Sequence, residues 1–213
     1  MLNLSSSTPP TISATMVFVV DDDQVLSGAV ASLLKSVGYS VKEFSNPNEV
    51  LEDPLVAMAG CLILDVRLKG YSGFELQQRI LESGSRLPII FITGHGDIPM
   101  SVRAMKAGAA NFLTKPFRSQ DLIDAVTEAL AGYHEYIEKQ VAFDSLRKRF
   151  DCLTPRERQV MCGVVYGLLN KQIASDLDVS EMTVKLHRAN MMRKMGVNTI
   201  ADVVRAGHQL ELS

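Results

Sequence analysis

The sequence predicts an open, doubly wound α/β sheet of five parallel strands, joined by a linker helix to a small all-α helix-turn-helix domain. Three observations carry this reading. Short apolar runs alternate five times with helical patterns in the first part of the chain, and such alternation implies crossover units and a parallel sheet. The runs are almost continuously apolar, as strands covered by helices on both faces are. Strand patterns cease after Cys152, and only helical patterns follow. Five repeats are too few to close an eight-stranded barrel, so the sheet is open.

The elements follow in order. MVFVV (16–20) is the first strand, and VLSGAVASLLKSVG (25–38) the helix after it. YSVKEF (39–44) precedes a helical pattern over NEVLEDPLVAMA (48–59). CLILD (61–65) precedes a helix through GFELQQRILES (73–83). LPIIFIT (87–93) precedes PMSVRAMKAG (99–108), and ANFLT (110–114) precedes a helix from about Ser119. That last helix keeps Leu122, Val126, Ala129, Tyr133 and Ile137 at helical spacing and runs on as a linker towards the basic cluster Arg147–Lys148–Arg149, read as a solvated end. The expected domains are a loose tail over 1–15, a sheet domain over 16–131, a linker helix over 132–150 and a helical domain over 151–213.

The helical half announces its own caps. Thr154 is followed by Pro155 and, three residues on, by Glu157: an N-cap, a proline at the first helical position and a capping box. Asn170 is a candidate cap for KQIASDLD (171–178), and Ser180 for EMTVKLHRANMMRKM (181–195), which Gly196 closes. A last helix spans about Ile200 to Leu210. A short helix, a tight turn and a capped helix in the middle suggest helix-turn-helix.

Composition narrows the function classes. The 213 residues carry a net charge of −2, so no global field draws the chain to nucleic acid or membrane, and such binding needs a local patch. No apolar run reaches the ~20 residues of a membrane span. The N-terminal stretch lacks the basic and apolar regions of a secretory signal. Three cysteines, an odd count without a C-x-x-C pair, read as thiols in a reducing cytoplasm. Cys61 and Cys162 read as small packed hydrophobes.

In open parallel sheets the ligand site lies beyond the carboxyl ends of the strands. Asp21 and Asp22 follow the first strand, Asp65 ends the third, Thr93 ends the fourth and Lys115 follows the fifth. Three carboxylates, a hydroxyl and an ammonium are therefore expected on one edge. Acids this close need compensation, from a divalent cation or from a proton held on one of them. Mg²⁺ takes hard oxygen ligands and leaves room for a phosphate, which suits an aspartate that accepts a phosphoryl group. Each residue alone has a plainer reading. Asp23, and even the whole Asp21–Asp23 run, can simply start a helix. Asp65 can be a cap, Thr93 a strand-end hydroxyl and Lys115 a solvated amine.

The segments VVDDD, CLILDVRLKGYSGFEL and PIIFITGHGDIPMSVRAMKAGAANFLTKPF resemble the receiver domain of bacterial response regulators, in the branch similar to FixJ. The resemblance implies a flavodoxin-like fold with Asp65 as phosphoacceptor. It implies Mg²⁺ bound by Asp21, Asp22, Asp65 and the backbone carbonyl of Arg67. Thr93 and Phe112 become switch residues, Lys115 the phosphate-binding lysine, and Lys115–Pro116 a cis peptide. Leu68-Lys69-Gly70 stands where the family usually has Met-Pro-Gly, which adds a cation near the site and frees the loop after Asp65. Arg67 and His95 flank the site, and His95 is read as a loop residue held by nearby backbone.

The helix over 181–195 carries Lys185, Arg188, Arg193 and Lys194 with no acid between Met182 and Met195. Helical spacing sets Val184, His187, Met191 and Met195 on one side, and Lys185, Arg188, Ala189 and Met192 on another. A basic face left outside a helix-turn-helix points to a DNA major groove, and a merely solvated basic face is the plainer reading. LTPRERQVM, GLLNKQIASDLDVSEMTVKLH and MRKMG resemble the LuxR-type helix-turn-helix of the NarL/FixJ family. That resemblance implies Thr183 and Lys185 near DNA and Leu186 and Ala189 at base-facing positions. It also makes the stripe Ile200, Val203, Val204, Gly207 a dimer surface, where the residues alone allow either core or interface.

The expectation is a cytoplasmic, non-enzymatic transcriptional regulator. A sensor histidine kinase phosphorylates Asp65, the face of fourth helix, fifth strand and fifth helix dimerises, and double-stranded promoter DNA is bound, with RNA polymerase a further candidate partner and no membrane contact. A phosphohydrolase is the rival enzyme reading. It calls for an acid two positions after the nucleophile, where Arg67 stands. A receiver that stays unphosphorylated and serves as a dimer scaffold is the second rival.

Overall fold

The computed structural model describes residues 16–53, 60–94 and 96–212. The expected tail over 1–15, the later part of the second helical pattern over 54–59, and His95 lie outside the described residues. The described chain falls into two compact units, one ending at Glu135 and one beginning at Tyr136.

In the first unit, β1 (Met16–Val20), β2 (Ser40–Phe44), β3 (Gly60–Asp65), β6 (Ile89–Thr93) and β7 (Asn111–Thr114) form one parallel sheet in the order β2-β1-β3-β6-β7. β4 (Arg67–Leu68) and β5 (Tyr71–Ser72) make a small antiparallel hairpin that the sequence pattern does not announce. Lys69 and Gly70 form its turn, and Gly70 sits at φ +73°, a left-handed backbone that glycine adopts without steric cost.

The apolar strands are buried on both faces because successive side chains point opposite ways. Phe18, Val20, Leu62, Leu64 and Phe91 pack towards Val50 of α2 (Pro47–Glu52), Leu76 and Ile80 of α3 (Gly73–Glu82), and Ala104 of α4 (Ile98–Lys106). Val17, Val19, Ile63, Ile90 and Ile92 pack towards Val30 and Leu34 of α1 (Gln24–Ser36) and Leu122, Val126 and Leu130 of α5 (Ser119–Asp151). Two helical layers around one parallel sheet are the doubly wound arrangement expected.

The second unit is all-helical among its described residues. The last turns of α5 join α6 (Pro155–Val165), α7 (Asn170–Leu177), α8 (Glu181–Met195) and α9 (Ile200–Gln209). Phe150, Val160, Met161, Ile173, Val184, Met191, Met195 and Val203 share one core, with Leu146 packed against it. The end of α5 is thus part of this core, not a bare connector. Its basic cluster, Arg147–Lys148–Arg149, is exposed as expected, and two of its members also touch the unit: Arg149 donates to the Met195 carbonyl at 3.2 Å, and Arg147 lies over the Phe150 ring.

Thr154 caps α6 in a full capping box with Glu157, and Ser180 caps α8, which ends on Gly196 at φ +67°. Asn170 does not cap α7. It is the first helical residue, Gln172 accepts from the Leu169 N–H at 2.8 Å, and the Asn170 side chain accepts from Arg188 at 2.5 Å. The stripe on α9 divides: Val203 and Gly207 are buried, whereas Ile200 is exposed. A Cβ on Gly207 would come within 2.2 Å of Val165 Cγ2, so this position is core and not an open interface.

Candidate functional site

Because all five strands of the sheet are parallel, their carboxyl ends share one edge, and the polar residues at those ends meet there. Asp21 follows β1 and is almost wholly buried, Asp65 ends β3, Thr93 ends β6 and is buried, and Lys115 follows β7. The Lys115 ammonium donates to Asp21 Oδ2 at 2.8 Å and to Asp65 Oδ2 at 2.6 Å. Its backbone N–H donates to the Thr93 carbonyl at 2.8 Å, which ties β7 to β6 at the site. The Lys115–Pro116 peptide is cis.

Local backbone holds each carboxylate in place. Asp21 Oδ1 accepts from the Asp23 N–H at 2.8 Å, and Asp65 Oδ1 from the Arg67 N–H at 2.9 Å. Asp23 does the helix-start work: its Oδ1 accepts from Val25 and Leu26 N–H at 3.0 and 3.2 Å. The run of three acids therefore divides its labour, with one residue capping α1 and two facing the site.

Asp21, Asp22 and Asp65 each offer a carboxylate oxygen, and these oxygens lie within 4.8 Å of one another. Hard oxygen donors at that spacing, half to fully buried, fit a small divalent cation. Burial pushes the Asp21 carboxyl above the ordinary aspartate range. The bonds from Lys115 and the Asp23 N–H oppose this without cancelling it, and the neighbouring Asp65 charge adds to it. Burial alone would lower the Lys115 ammonium, but its bonds to Asp21 and Asp65 win and raise it, so it stays charged. Lys69, in the hairpin turn, places its ammonium 3.7 Å from Asp22 Oδ2. With a side chain 87% exposed, it interacts through solvent and contributes little to stability.

Phe112 lies on the edge strand β7, half-buried against the α3–α4 side of the sheet. Gly96 closes over it: a Cβ there would stand 3.0 Å from the Phe112 ring, 2.6 Å from Thr114 Cγ2 and 3.2 Å from Thr93 Cγ2. Gly96 thus rests against Phe112 and Thr93 together.

On α8, Thr183 is half-buried and bonded to the Ser180 hydroxyl at 2.8 Å. Lys185, Leu186, Ala189 and Arg193 are exposed, and Arg193 donates to Asn190 at 3.1 Å. Two of the expected DNA cations are engaged within the domain. Arg188 is held by Asn170, and Lys194 donates to buried Glu157 at 2.7 Å. Glu157 would be raised by burial, but the bonds from Lys194 and Thr154 dominate and hold it below the ordinary glutamate range. Sequence reasoning missed Met182, which is 73% exposed. Its signal is spacing: Met182, Leu186, Ala189 and Arg193 fall at i, i+4, i+7 and i+11, opposite buried Val184, Met191 and Met195.

No helix among the described residues is long and apolar enough to cross a membrane. Residues 17–127 match the response regulator receiver domain family, and residues 151–206 match the luxR family of bacterial regulatory proteins. The response regulator protein TmoT of Ectopseudomonas mendocina is 45% identical over 197 residues, 92% of this chain and 90% of that protein. The transcriptional regulatory protein FixJ of Bradyrhizobium diazoefficiens is 38% identical over 89% of this chain and 92% of its own length. The low-resolution structure of the response regulator StyR superposes with a TM-score of 0.83 at 44% identity, over 94% of this chain and all of that one.

Proposed function

Since this chain belongs to the NarL/FixJ-type response regulators, transcriptional regulators that join a receiver domain to a LuxR-type DNA-binding domain, we propose that Asp65 accepts a phosphoryl group from a sensor histidine kinase and that this switches DNA binding. The observation that carries the reading is the meeting of Asp21, Asp22, Asp65 and Lys115 at one sheet edge. In the transfer an Asp65 carboxylate oxygen forms the new bond to phosphorus, and the phosphorus–nitrogen bond of the donor phosphohistidine breaks, returning the imidazole. Asp21, Asp22, Asp65 and the Arg67 carbonyl would hold Mg²⁺, which supplies positive charge against the phosphoryl oxygens. Lys115 adds a fixed ammonium at the same place. Thr93 turns its hydroxyl to the phosphoryl group, and Phe112 moves inward as the Gly96 loop follows.

The modification biases a pre-existing equilibrium rather than building a new structure. Its output is a homodimer through α4, β7 and α5. Ile98, Val102 and Met105 support this, being exposed at i, i+4 and i+7 along α4. A pair of DNA-binding domains then addresses two half-sites of promoter DNA, with Lys185 and Arg193 the exposed cations and RNA polymerase a candidate further contact. Thr183, bonded to the helix cap, and Arg188, held by Asn170, act from the same helix.

Incubation with Mg²⁺ and acetyl phosphate is expected to give a phosphoryl adduct in the intact mass spectrum. Asp65→Asn, or removal of Mg²⁺ by chelation, abolishes it. An adduct that survives Asp65→Asn defeats the assignment. Light scattering of the phosphorylated chain is expected to return twice the monomer mass. The scaffold reading draws on Lys115, whose ammonium already pairs with both Asp21 and Asp65, and on Lys69, a further cation near Asp22. It predicts DNA affinity that does not respond to the phosphodonor.

A further inference from the structure

Which residues of α8 can face DNA is decided by which are buried. Val184, Met191 and Met195 are fully buried in the helical core. At 3.6 residues per turn the diametrically opposite face carries Met182, Leu186, Ala189 and Arg193, all exposed. Two of these are large and apolar: Met182 is 73% and Leu186 60% exposed. Neither belongs to the domain's hydrophobic core.

Two of the cations sit elsewhere on the helix. Arg188 and Lys194 lie on the flanks nearer the core, where Asn170 and Glu157 hold them at 2.5 and 2.7 Å. Arg193 shares the outward face, a full three turns beyond Met182, near the helix's C-terminal end. The N-terminal half of a recognition helix is the part that meets base edges. In this protein the exposed residues of that half are Glu181, Met182, Lys185 and Leu186.

Each base pair shows its own pattern in the major groove, and thymine alone shows a methyl group there. An arginine fork reads guanine, and an apolar side chain reads the thymine methyl. Met182 and Leu186 stand one helical turn apart, about 6 Å along the axis, which corresponds to roughly two base-pair steps. Resting on the DNA-binding reading above, we infer that α8 reads the 5-methyl groups of thymines through Met182 and Leu186. Apolar contact, with Lys185 beside it, then sets the base preference in each half-site, in place of bidentate arginine pairing.

The test uses the full chain with Mg²⁺ and acetyl phosphate. Duplexes are selected from a random pool, and each thymine of the enriched site is replaced in turn by deoxyuridine, which removes the methyl group alone. Affinities are read by fluorescence anisotropy at one salt concentration. Burial of a methyl predicts a loss of about threefold to fivefold at one or more thymines per half-site. Leu186→Ala or Met182→Ala is expected to bind the thymine and uracil duplexes equally at its own position. The dependence of log affinity on log salt should stay as in the unaltered chain, because phosphate contacts are untouched. Both side chains are exposed, so circular dichroism should show an unchanged fold. Equal binding of every uracil duplex by the unaltered chain overturns the inference and leaves DNA binding standing. A uracil penalty that persists in both variants overturns it too. If no duplex is enriched, the DNA-binding reading falls and takes this inference with it.

Discussion

Glu157→Ala is expected to destabilise the helical unit by about 3 kcal/mol. Two things are lost at once. The capping box that starts α6 opens as the Thr154 N–H loses its acceptor at 2.8 Å, and the Lys194 ammonium loses its carboxylate partner at 2.7 Å. Glu157 is 4% exposed, so water cannot replace the missing carboxylate. Lys194→Met in the same chain should recover part of the loss, because it removes the stranded charge and leaves apolar volume in its place. Urea denaturation of the four chains forms the double-mutant cycle that measures the pair. The pair is also a pH device with a fixed sign. Glu157 is held below its unfolded value, so its contribution is present above the ordinary glutamate range of about 4.3. It is lost as the pH falls through the depressed, folded value. Denaturation midpoints measured from neutral pH into acid should therefore fall for the unaltered chain more than for the Glu157→Ala, Lys194→Met pair. Equal slopes would remove this pair from the account of acid stability.

Gly73→Ala is the second large effect, and it acts on the sheet edge that holds Asp65, the proposed phosphoacceptor. A Cβ at residue 73 would stand 2.4 Å from the Asp65 carbonyl oxygen and 3.1 Å from Val66 Cα. Both are backbone atoms, so no side chain can turn aside to make room. The Gly73 N–H also donates to the Val66 carbonyl at 2.9 Å, which clamps the first turn of α3 against the segment that follows β3. Either α3 or that segment must shift. The expected cost is about 2–3 kcal/mol of stability, together with marked slowing of phosphoryl uptake at Asp65, because displacement of reacting groups by about 1 Å is enough to cost orders of magnitude in rate. Chemical denaturation and the time course of the intact mass under acetyl phosphate check the two parts separately. Full stability with normal phosphoryl uptake would show that the backbone relaxes freely there. Loss of stability with normal uptake would place the strain on α3 alone.

The residues that were readable in advance share one property: their placement follows from period and order along the chain. Five apolar runs separated by helices fix a parallel sheet, and a parallel sheet gathers Asp21, Asp65, Thr93 and Lys115 on one edge whatever the side-chain details. The caps at Asp23, Thr154 and Ser180 were equally local, because each reaches a backbone N–H only two or three residues on. Asn170 marks the limit. Its sequence context allowed a cap, yet its oxygen went to Arg188, eighteen residues away.

By itself, then, the sequence determined the doubly wound sheet, the helical partner domain, the acidic edge and the basic character of α8. Each is a matter of hydrophobic period, strand direction and short-range hydrogen bonding. Only the tertiary structure decided which cations are free. Lys194 and Arg188 lie on the same helix as Lys185, and nothing local distinguishes them, but the packing of α6 and α7 against α8 brings Glu157 and Asn170 within reach of the first two. It also decided that Val203 and Gly207 belong to the core while Ile200 does not. Long-range contacts depend on how helices dock, which no pattern along one helix contains. For that reason the outward apolar pair, Met182 and Leu186, emerges only once the buried face of α8 is known.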